Sequence, residues 1–156
     1  MTVTIRKAHK DDLKSIQDLN HKLFLWDSRS DPTLNTKWPY EEAGIEYFRK
    51  KISGESGICF VAVADGKIVG YLTGYMFDKV AAYDTILRSE LDNIFVEDEF
   101  RGKGVGMMLV DDFFAWSKSH GAASVMVSAY YLNERAIGFY KKAGFAPLAL
   151  KLESKL

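Results

Sequence analysis

The segment 100–110, FRGKGVGMMLV, carries the clearest chemical signature in the sequence. It combines two cations with three glycines at alternate positions: Arg101, Gly102, Lys103, Gly104 and Gly106. Glycines in front of a helix let the backbone approach a ligand closely, and the first helical turn offers unpaired N–H groups and the positive end of the helix dipole. The segment therefore predicts an anion site, for which phosphate is the usual ligand. A tight strand-to-helix turn is the alternative.

Two common phosphate-binding motifs do not fit this segment. A P-loop needs a Lys-Ser or Lys-Thr pair, and the segment contains neither. A dinucleotide-binding G-x-G-x-x-G fingerprint needs a glycine where the chain has Met107. Spacing therefore excludes both motifs.

Hydrophobic periodicity places the segment between a strand and a helix of a mixed α and β protein. Strands are predicted over 2–8, in a hairpin over 58–77 that turns at Asp65-Gly66, and over 90–97, 123–130 and 145–153. Helices are predicted over 10–24, over 40–53, from Gly104 or Val105 to a stop at Gly121, and over 133–144. Residues 26–40 have turn composition and no period, which predicts a loop.

Composition narrows the class of protein further. A length of 156 residues indicates a single domain over 1–156, and a formal net charge of zero argues against a nucleic-acid or membrane partner. No apolar run is long enough to span a membrane, and the three histidines lack the spacing of metal ligands. The single cysteine, Cys59, lies in an apolar strand. We therefore expect a cytoplasmic protein without a metal.

The pattern Arg101-x-x-Gly104-x-Gly106 resembles the pyrophosphate loop of the GNAT acetyltransferase superfamily, written Q/R-x-x-G-x-G/A. The resemblance extends upstream to LDNIFVEDEF (91–100). Downstream, NERAIGFYKKAGF (133–145) is similar to the family's N-x-x-A-x-x-F-Y-x-x-x-G-F segment. The order of predicted elements also fits over nearly the whole chain. Motifs in this order, separated by a helix and a strand, make the resemblance specific.

The resemblance implies the GNAT fold, of the α/β (α+β) class. This fold has a mixed, mostly antiparallel sheet that splays between its fourth and fifth strands, flanked by about four helices. The pantetheine arm of acetyl-CoA would lie in the gap and pair with the fourth strand like an added strand. The backbone expected to hold the arm belongs to Ile94, Phe95 and Val96. The residues expected to hold the pyrophosphate are Arg101, Gly102, Lys103, Gly104, Val105 and Gly106.

Two residues of the predicted helix 133–144 have both a structural and a functional interpretation. Asn133 is a good N-cap and also matches the family's cofactor-contacting asparagine. Tyr140 lies two helical turns later, so the two residues share a face. A core role suits the apolar neighbours of Tyr140, whereas the resemblance implies the general acid that protonates the departing thiolate, which we favour.

The acceptor amine must lose protons, which requires a base or a water chain near neutral pH. Glu90 and Asp92 lie two apart on the fourth strand and share a face where the strand is regular. A bulge, which the resemblance leads us to expect in this strand, would change that parity. Asp92 is favoured because it lies nearer the residues expected to hold the thioester. Glu90, ordered water and plain solvation of both carboxylates stay open.

These observations predict an acetyl-CoA-dependent N-acetyltransferase that transfers the acetyl group directly to a primary amine in a ternary complex. A non-catalytic acyl-CoA-binding sensor or interaction domain is the alternative, which the presence of Tyr140 disfavours. The transfer of acetyl, as opposed to a longer acyl group, is itself inherited from the resemblance.

The acceptor is expected to be a small-molecule amine or a peptide amine, and its identity stays open. Segment 26–40 would border its site. Aromatic and acidic side chains in this segment suit a cation or simply pack on the sheet: Trp26, Asp27, Asp31, Trp38 and Tyr40. Relatives often form homodimers, although no pattern in this chain specifies one.

Overall fold

A computed structural model describes residues 2–78 and 85–156 of the chain. Within these ranges lie the strands β1 (Val3–Lys7), β2 (Ile58–Ala64), β3 (Lys67–Met76), β4 (Arg88–Val96) and β5 (Ser124–Val127). The α-helices are α1 (Leu13–Asp27), α2 (Glu42–Ser53), α3 (Val105–Ser119) and α4 (Glu134–Lys142). Short 3-10 turns precede the first three helices, over Lys10–Asp12, Trp38–Tyr40 and Asp98–Phe100. None of the helices in the described ranges has the length and apolar character that crossing a membrane requires.

The strands form one sheet in the order β1-β2-β3-β4-β5. Neighbours from β1 to β4 are antiparallel, whereas β4 and β5 are parallel. β5 pairs only with the first part of β4, from Arg88 to Leu91. Among the described residues, the second part of β4 has no strand on that side. The mixed, mostly antiparallel sheet with a splay between its fourth and fifth strands is therefore confirmed, as are the four flanking helices.

The pairing of β3 with β4 contains a bulge next to the splay. Thr73 faces Asn93 and Gly74 faces Leu91, which leaves Asp92 as an extra residue on β4. A Cβ on Gly74 would lie 2.3 Å from the ring of Phe113, so only glycine fits at this point. The bulge that the resemblance led us to expect is present, and it takes Asp92 out of the regular alternation.

The side chains of the sheet alternate between two apolar layers. On one face, α3 packs Phe113 against a layer that includes Leu72 of β3. On the other face, α1 and α2 pack Ile16 and Phe48 against a layer that includes Tyr71 of β3. The consecutive residues Tyr71 and Leu72 thus point to opposite faces, as the period of two in a strand requires. The two layers hold β4 between them and fix its splayed end.

Most predicted elements are present, with small differences at their ends. The hairpin is confirmed, since β2 and β3 meet at Asp65 and Gly66, whose φ angles of 48° and 74° are those of a tight hairpin turn. α1 continues to Asp27, beyond its predicted end at residue 24. β5 ends at Val127, three residues before its predicted end.

The predicted last strand over 145–153 is wrong, because this segment has no regular secondary structure. Three alternate side chains are 76%, 64% and 83% exposed, respectively Leu148, Leu150 and Leu152. An alternating pattern forms a strand only where a neighbouring strand supplies backbone partners, and Pro147 has no N–H to donate. The ring of Phe145 contacts Tyr140, and none of the described strands pairs with the segment beyond it.

Candidate active site

The glycine loop, residues 101–106, links the splayed end of β4 to α3. Gly102 and Gly104 have φ angles of 73° and 84°, in the left-handed region that other residues rarely adopt. A Cβ on either glycine would have no described atom within 4 Å, so the backbone there is open. The N-terminus of α3 is therefore accessible at the place where the sequence predicts the pyrophosphate.

Gly106 is needed for a different reason. A Cβ on this residue would lie 3.0 Å from the ring of Phe139 on α4. Its lack of a side chain thus allows α3 and α4 to approach each other, while the adjacent Val105 is buried in the core. The three glycines of the loop therefore divide into two that set the backbone and one that serves packing.

The two cations of the loop are held differently. The Nε of Arg101 donates to the carbonyl oxygen of Val96 at 2.7 Å. The guanidinium also pairs with Asp98 and lies over the ring of Phe95, 4.9 Å from its centroid. Lys103, in contrast, is exposed to solvent. Arg101 thus braces the end of β4 against the loop, whereas Lys103 can meet an approaching anion.

Helix α4 begins at Asn133 and carries Tyr140. The Oδ1 of Asn133 accepts a hydrogen bond from the backbone N–H of Ala136 at 3.1 Å, so its N-cap role is confirmed. Tyr140 is half-buried, and its hydroxyl has no hydrogen-bond partner among the described residues. Burial raises the pKa of Tyr140, and the negative charge of Asp27 adds to this effect. The phenol therefore keeps its proton at neutral pH, as a general acid must.

Both candidate bases accept hydrogen bonds from tyrosines. Tyr47 of α2 donates to Asp92, and Tyr75 of β3 donates to Glu90 at 3.1 Å. Tyr75 and Glu90 are also direct partners in the sheet register. We call Tyr47, Tyr75, Glu90 and Asp92 the phenol–carboxylate cluster. It lies on the α2 face of the sheet, so the two carboxylates share a face despite the bulge.

The two carboxylates of the cluster differ in exposure. Asp92 is exposed, and the Tyr47 hydroxyl beside it also accepts a hydrogen bond from the Nδ2 of Asn93 at 3.2 Å. Glu90 is half-buried, and its pKa is raised, chiefly by burial and further by the charge of Asp92, while the Tyr75 hydrogen bond opposes the rise. Burial therefore increases the proton affinity of Glu90, whereas Asp92 is the carboxylate that is more accessible to solvent.

A cleft of about 400 Å³ opens beside the phenol–carboxylate cluster. It is lined by Phe24, Leu34, Asn35, Trp38, Tyr47, Asp92 and Asn93. Trp38 stacks on Phe24 with 5.7 Å between ring centroids and meets Tyr47 edge-on at 5.2 Å. An aromatic wall with a carboxylate suits a cationic amine.

The C-terminal end of α1 adds a second acidic region. Asp27 is half-buried, and burial raises its pKa to about 6. Its side chain forms no hydrogen bond or ion pair with any described residue, yet its charge acts on the phenols of Tyr71, Tyr130 and Tyr140. Asp31 accepts a hydrogen bond from Tyr130 at 3.3 Å. The predicted loop 26–40 thus contacts the segment that follows β5.

Sequence reasoning missed Tyr47, Tyr75 and Asn93. The two tyrosines fall among apolar residues of a helix and a hairpin, where an aromatic side chain is typical of a core. The available signal was polar residues inside apolar strands, namely Thr73 in β3 and Asn93 in β4, because a buried polar group needs a partner. Both contact the Tyr47 hydroxyl, at 3.0 Å and 3.2 Å.

No set of metal-binding side chains is present in the part of the chain that the structure describes. No group of three or more His, Cys, Asp and Glu side chains there could hold an ion. The Nδ1 of His21 lies 2.6 Å from the carbonyl oxygen of Thr36, which gives this histidine a structural contact.

A splayed sheet with a glycine loop at the N-terminus of the following helix defines the acetyltransferase class. The sequence profile of the Acetyltransferase (GNAT) family matches residues 20–145. The match covers most of the chain, and the chain belongs to this family. The resemblance inferred from the loop and the α4 motif is therefore confirmed.

An uncharacterised N-acetyltransferase of Methanocaldococcus jannaschii is 28% identical over 144 residues, which are 92% of this chain and 61% of that protein. The chain thus spans about three fifths of the length of this relative.

Solved structures share the fold over nearly the whole chain. A transcriptional regulator from Bacillus halodurans has a TM-score of 0.79 at 21% identity, covering 99% of this chain and 100% of that one. The aminoglycoside N-acetyltransferase AAC(6')-Iy in complex with CoA has a TM-score of 0.76 at 19% identity, covering 99% of this chain and 95% of that one. The same enzyme has also been solved with a bisubstrate analogue of CoA. At these identities the likeness shows the fold alone.

Proposed function

We propose that the chain is an N-acetyltransferase that moves an acetyl group from acetyl-CoA directly to a primary amine in a ternary complex. The free edge of β4 carries the proposal. After Leu91 this edge has no neighbouring strand among the described residues, and the strand then leads into the glycine loop. An extended arm can pair with such an edge, and a pyrophosphate can bind at the helix N-terminus beyond it. Acetyl-CoA has these two parts in the same order.

In this proposal the cosubstrate is held mainly by backbone groups. Ile94, Phe95 and Val96 pair with the amides of the pantetheine arm, and the loop from Arg101 to Gly106 holds the pyrophosphate, with Lys103 adding charge. Asn133 serves two purposes with different atoms. Its Oδ1 caps α4, while its Nδ2 has no acceptor among the described residues and can donate to the cosubstrate.

The transfer uses one base and one acid. Asp92, or Glu90 acting through water, takes a proton from the acceptor ammonium. The neutral nitrogen attacks the thioester carbonyl, the C–N bond forms and the C–S bond breaks. The thiolate takes the proton of Tyr140, and water carries the second proton of the new amide nitrogen to the Tyr140 phenolate, while the base releases its own proton to solvent. The bisubstrate analogue bound to AAC(6')-Iy supports a direct route of this kind.

We propose a small cationic amine as the acceptor, with a peptide amine as the second candidate. The support comes from the charge of the cleft. Asp92 lines a cleft whose wall includes Trp38 and Tyr47. A cation in this cleft gains from the carboxylate and from the aromatic faces.

Binding and turnover measured together test this proposal. CoA is titrated calorimetrically, and free thiol release from acetyl-CoA is followed with polyamines, aminoglycosides, amino acids and a lysine peptide. We expect CoA binding and turnover with at least one small amine. Binding without thiol release for any amine would instead support a non-catalytic acyl-CoA-binding domain. Absence of CoA binding would overturn both functions.

We also propose a homodimer that forms through segment 145–153. Its exposed leucines, 148, 150 and 152, would gain roughly 1.5–3 kcal/mol each on full burial against a second copy. Light scattering on Leu150→Lys tests this, with Leu132→Lys as a control because Leu132 is 80% exposed outside the segment. We expect the first variant alone to be monomeric. A wild-type monomer would exclude the dimer.

We propose a cytoplasmic location on the basis of the single cysteine. Cys59 is buried within β2, and burial raises the pKa of its thiol. A chain with one cysteine cannot form an internal disulfide, and disulfides are typical of proteins in oxidising compartments.

A further inference from the structure

Lys51 of α2 is buried, with 5% of its surface exposed, which is rare for an ammonium group. Its Nζ donates to the carbonyl oxygen of Ser56 at 2.5 Å, and it forms no ion pair with any described residue. Burial lowers the pKa of Lys51, while the charge of Asp92 opposes this change. A cation buried without a carboxylate in contact requires another partner.

That partner is a pair of aromatic rings. The Nζ of Lys51 lies 4.6 Å from the ring centroid of Tyr75 and 5.1 Å from that of Tyr47. Both distances are short enough for a cation–π attraction, which is strengthened where water is excluded. The two rings belong to the phenol–carboxylate cluster. One ammonium group therefore contacts both of the phenols that donate to the candidate bases.

We propose that Lys51 is the positioning residue of the base. It fixes the two rings, so that the Tyr47 hydroxyl stays directed at Asp92 and the Tyr75 hydroxyl at Glu90, and its charge favours the ionised carboxylates. The inference rests on the proposed function, because it concerns the base of that reaction.

The groups that face Lys51 come from four parts of the fold. Tyr47 belongs to its own helix, the Ser56 carbonyl to the turn after that helix, Tyr75 to β3 and Asp92 to β4, with Glu90 reached through Tyr75. Asp92 and Glu90 are the anionic members of this set. Removal of the Lys51 charge takes a cation away from the carboxylate that acts as the base, so the acid limb of the rate profile should move to higher pH.

The chain offers a matched control for this idea. Lys50 is the neighbouring lysine of α2, but its side chain is 41% exposed and pairs with Glu46 and Glu55. Lys51→Met keeps the apolar stem and removes the charge, Lys51→Arg keeps the charge, and Lys50→Met removes a charge away from the cluster. We expect kcat to fall roughly 10-fold in Lys51→Met alone, and Lys51→Arg to retain most of the activity.

The pH profile separates positioning from a merely structural role. In Lys51→Met the midpoint of the acid limb should rise by about half a pH unit or more, with CoA affinity unchanged. In Lys50→Met it should stay in place. Where Lys51→Met does not melt cooperatively, Lys51→Gln takes its place under the same criteria, because its amide can still donate to the Ser56 carbonyl. A folded uncharged variant with the wild-type profile overturns the proposal.

A second measurement does not depend on activity. In ligand-free protein with ¹³C-labelled tyrosine, the ring signals of Tyr47 and Tyr75 should shift in Lys51→Met and stay unchanged in Lys50→Met. Unmoved signals would contradict the positioning role even in an active enzyme. Failure of the proposed function would appear differently, as a wild-type protein that releases no thiol with any amine.

Discussion

The proposed cofactor side and the proposed acceptor side of the active site are encoded in different ways. The cofactor side, from the free edge of β4 through the glycine loop to α3, comes from one continuous stretch, residues 94–106, and depends on backbone geometry. The acceptor side brings together side chains from α1, α2, β3 and β4. Tyr47 and Asp92, which share a hydrogen bond, are 45 positions apart. Backbone recognition can therefore be specified by a short motif, whereas the side-chain site exists only once the chain has folded.

The two sides also differ in what they cost the fold. The cofactor side uses left-handed glycines, which lose more conformational freedom on folding than other residues. The acceptor side buries ionisable groups, as the raised pKa of Glu90 and the lowered pKa of Lys51 indicate. Substitutions on the first side should therefore act on CoA binding, and those on the second on rate and pH dependence.

The largest effect is expected at Tyr140, on the helix α4 that packs against the glycine loop. Tyr140→Phe removes only the hydroxyl, so kcat should fall roughly 10²- to 10⁴-fold with CoA affinity little changed. Tyr131→Phe is the control, because Tyr131 is 75% exposed. Steady-state kinetics and calorimetry provide the measurements. Near-normal turnover in a cooperatively melting variant would leave Tyr140 a core residue.

A substitution at Gly104 should affect the cofactor side alone. Gly104→Glu places a Cβ and a negative charge where the pyrophosphate belongs, and CoA should bind roughly 100-fold more weakly or worse. Gly121→Glu is a matched control, since Gly121 also has a φ of 84° but lies beyond the other end of α3. Calorimetry should show weaker CoA binding only in the first variant. Equal affinity in both would remove the loop from the cofactor site.

The two candidate bases should produce a smaller, pH-dependent loss. We expect Asp92→Asn, and less strongly Glu90→Gln, to lower kcat roughly 10-fold near neutral pH, where the acceptor is mostly protonated. The loss should shrink at high pH, where more free amine is present. Because burial raises the pKa of Glu90, a base role for this residue would place the acid limb above the usual range of a carboxylate.

Rate profiles at saturating acetyl-CoA separate the two carboxylates. If neither variant shows a pH-dependent loss, the proton leaves through ordered water.

Features formed by residues close together in the chain were predictable from the sequence, whereas contacts between distant residues were not. The hairpin at Asp65-Gly66, the glycine loop and the Asn133 cap were predictable, because each depends on residues close together in the chain. The contacts of Lys51 with Tyr47 and Tyr75 were not, since the helical pattern of α2 shows neither the sheet nor the bulge beneath it. The predicted strand over 145–153 failed for the same reason: its alternation is local, but its partner strand would have to come from elsewhere.

The smallest effect concerns Asp27 at the end of α1, and it tests whether the fold holds a buried charge at the expense of stability. Burial raises the pKa of Asp27 from 3.8 to about 6 in the folded chain. The ionised carboxylate thus destabilises the fold above about pH 6, and this destabilisation disappears as the pH falls towards the ordinary value. Allowing for its partial exposure, we expect Asp27→Asn to be about 1 kcal/mol more stable than the wild type at pH 7.5 and equal to it near pH 4.

In Asp31, whose pKa is lowered through hydrogen bonds from Thr33, the dependence has the opposite sign, so Asp31→Asn is the control. Urea unfolding at both pH values measures the difference. A rise in KM for a cationic amine in Asp27→Asn would show that the charge contributes to acceptor binding. A stability gain that persisted at pH 4 would mean that packing, and not the buried charge, caused it.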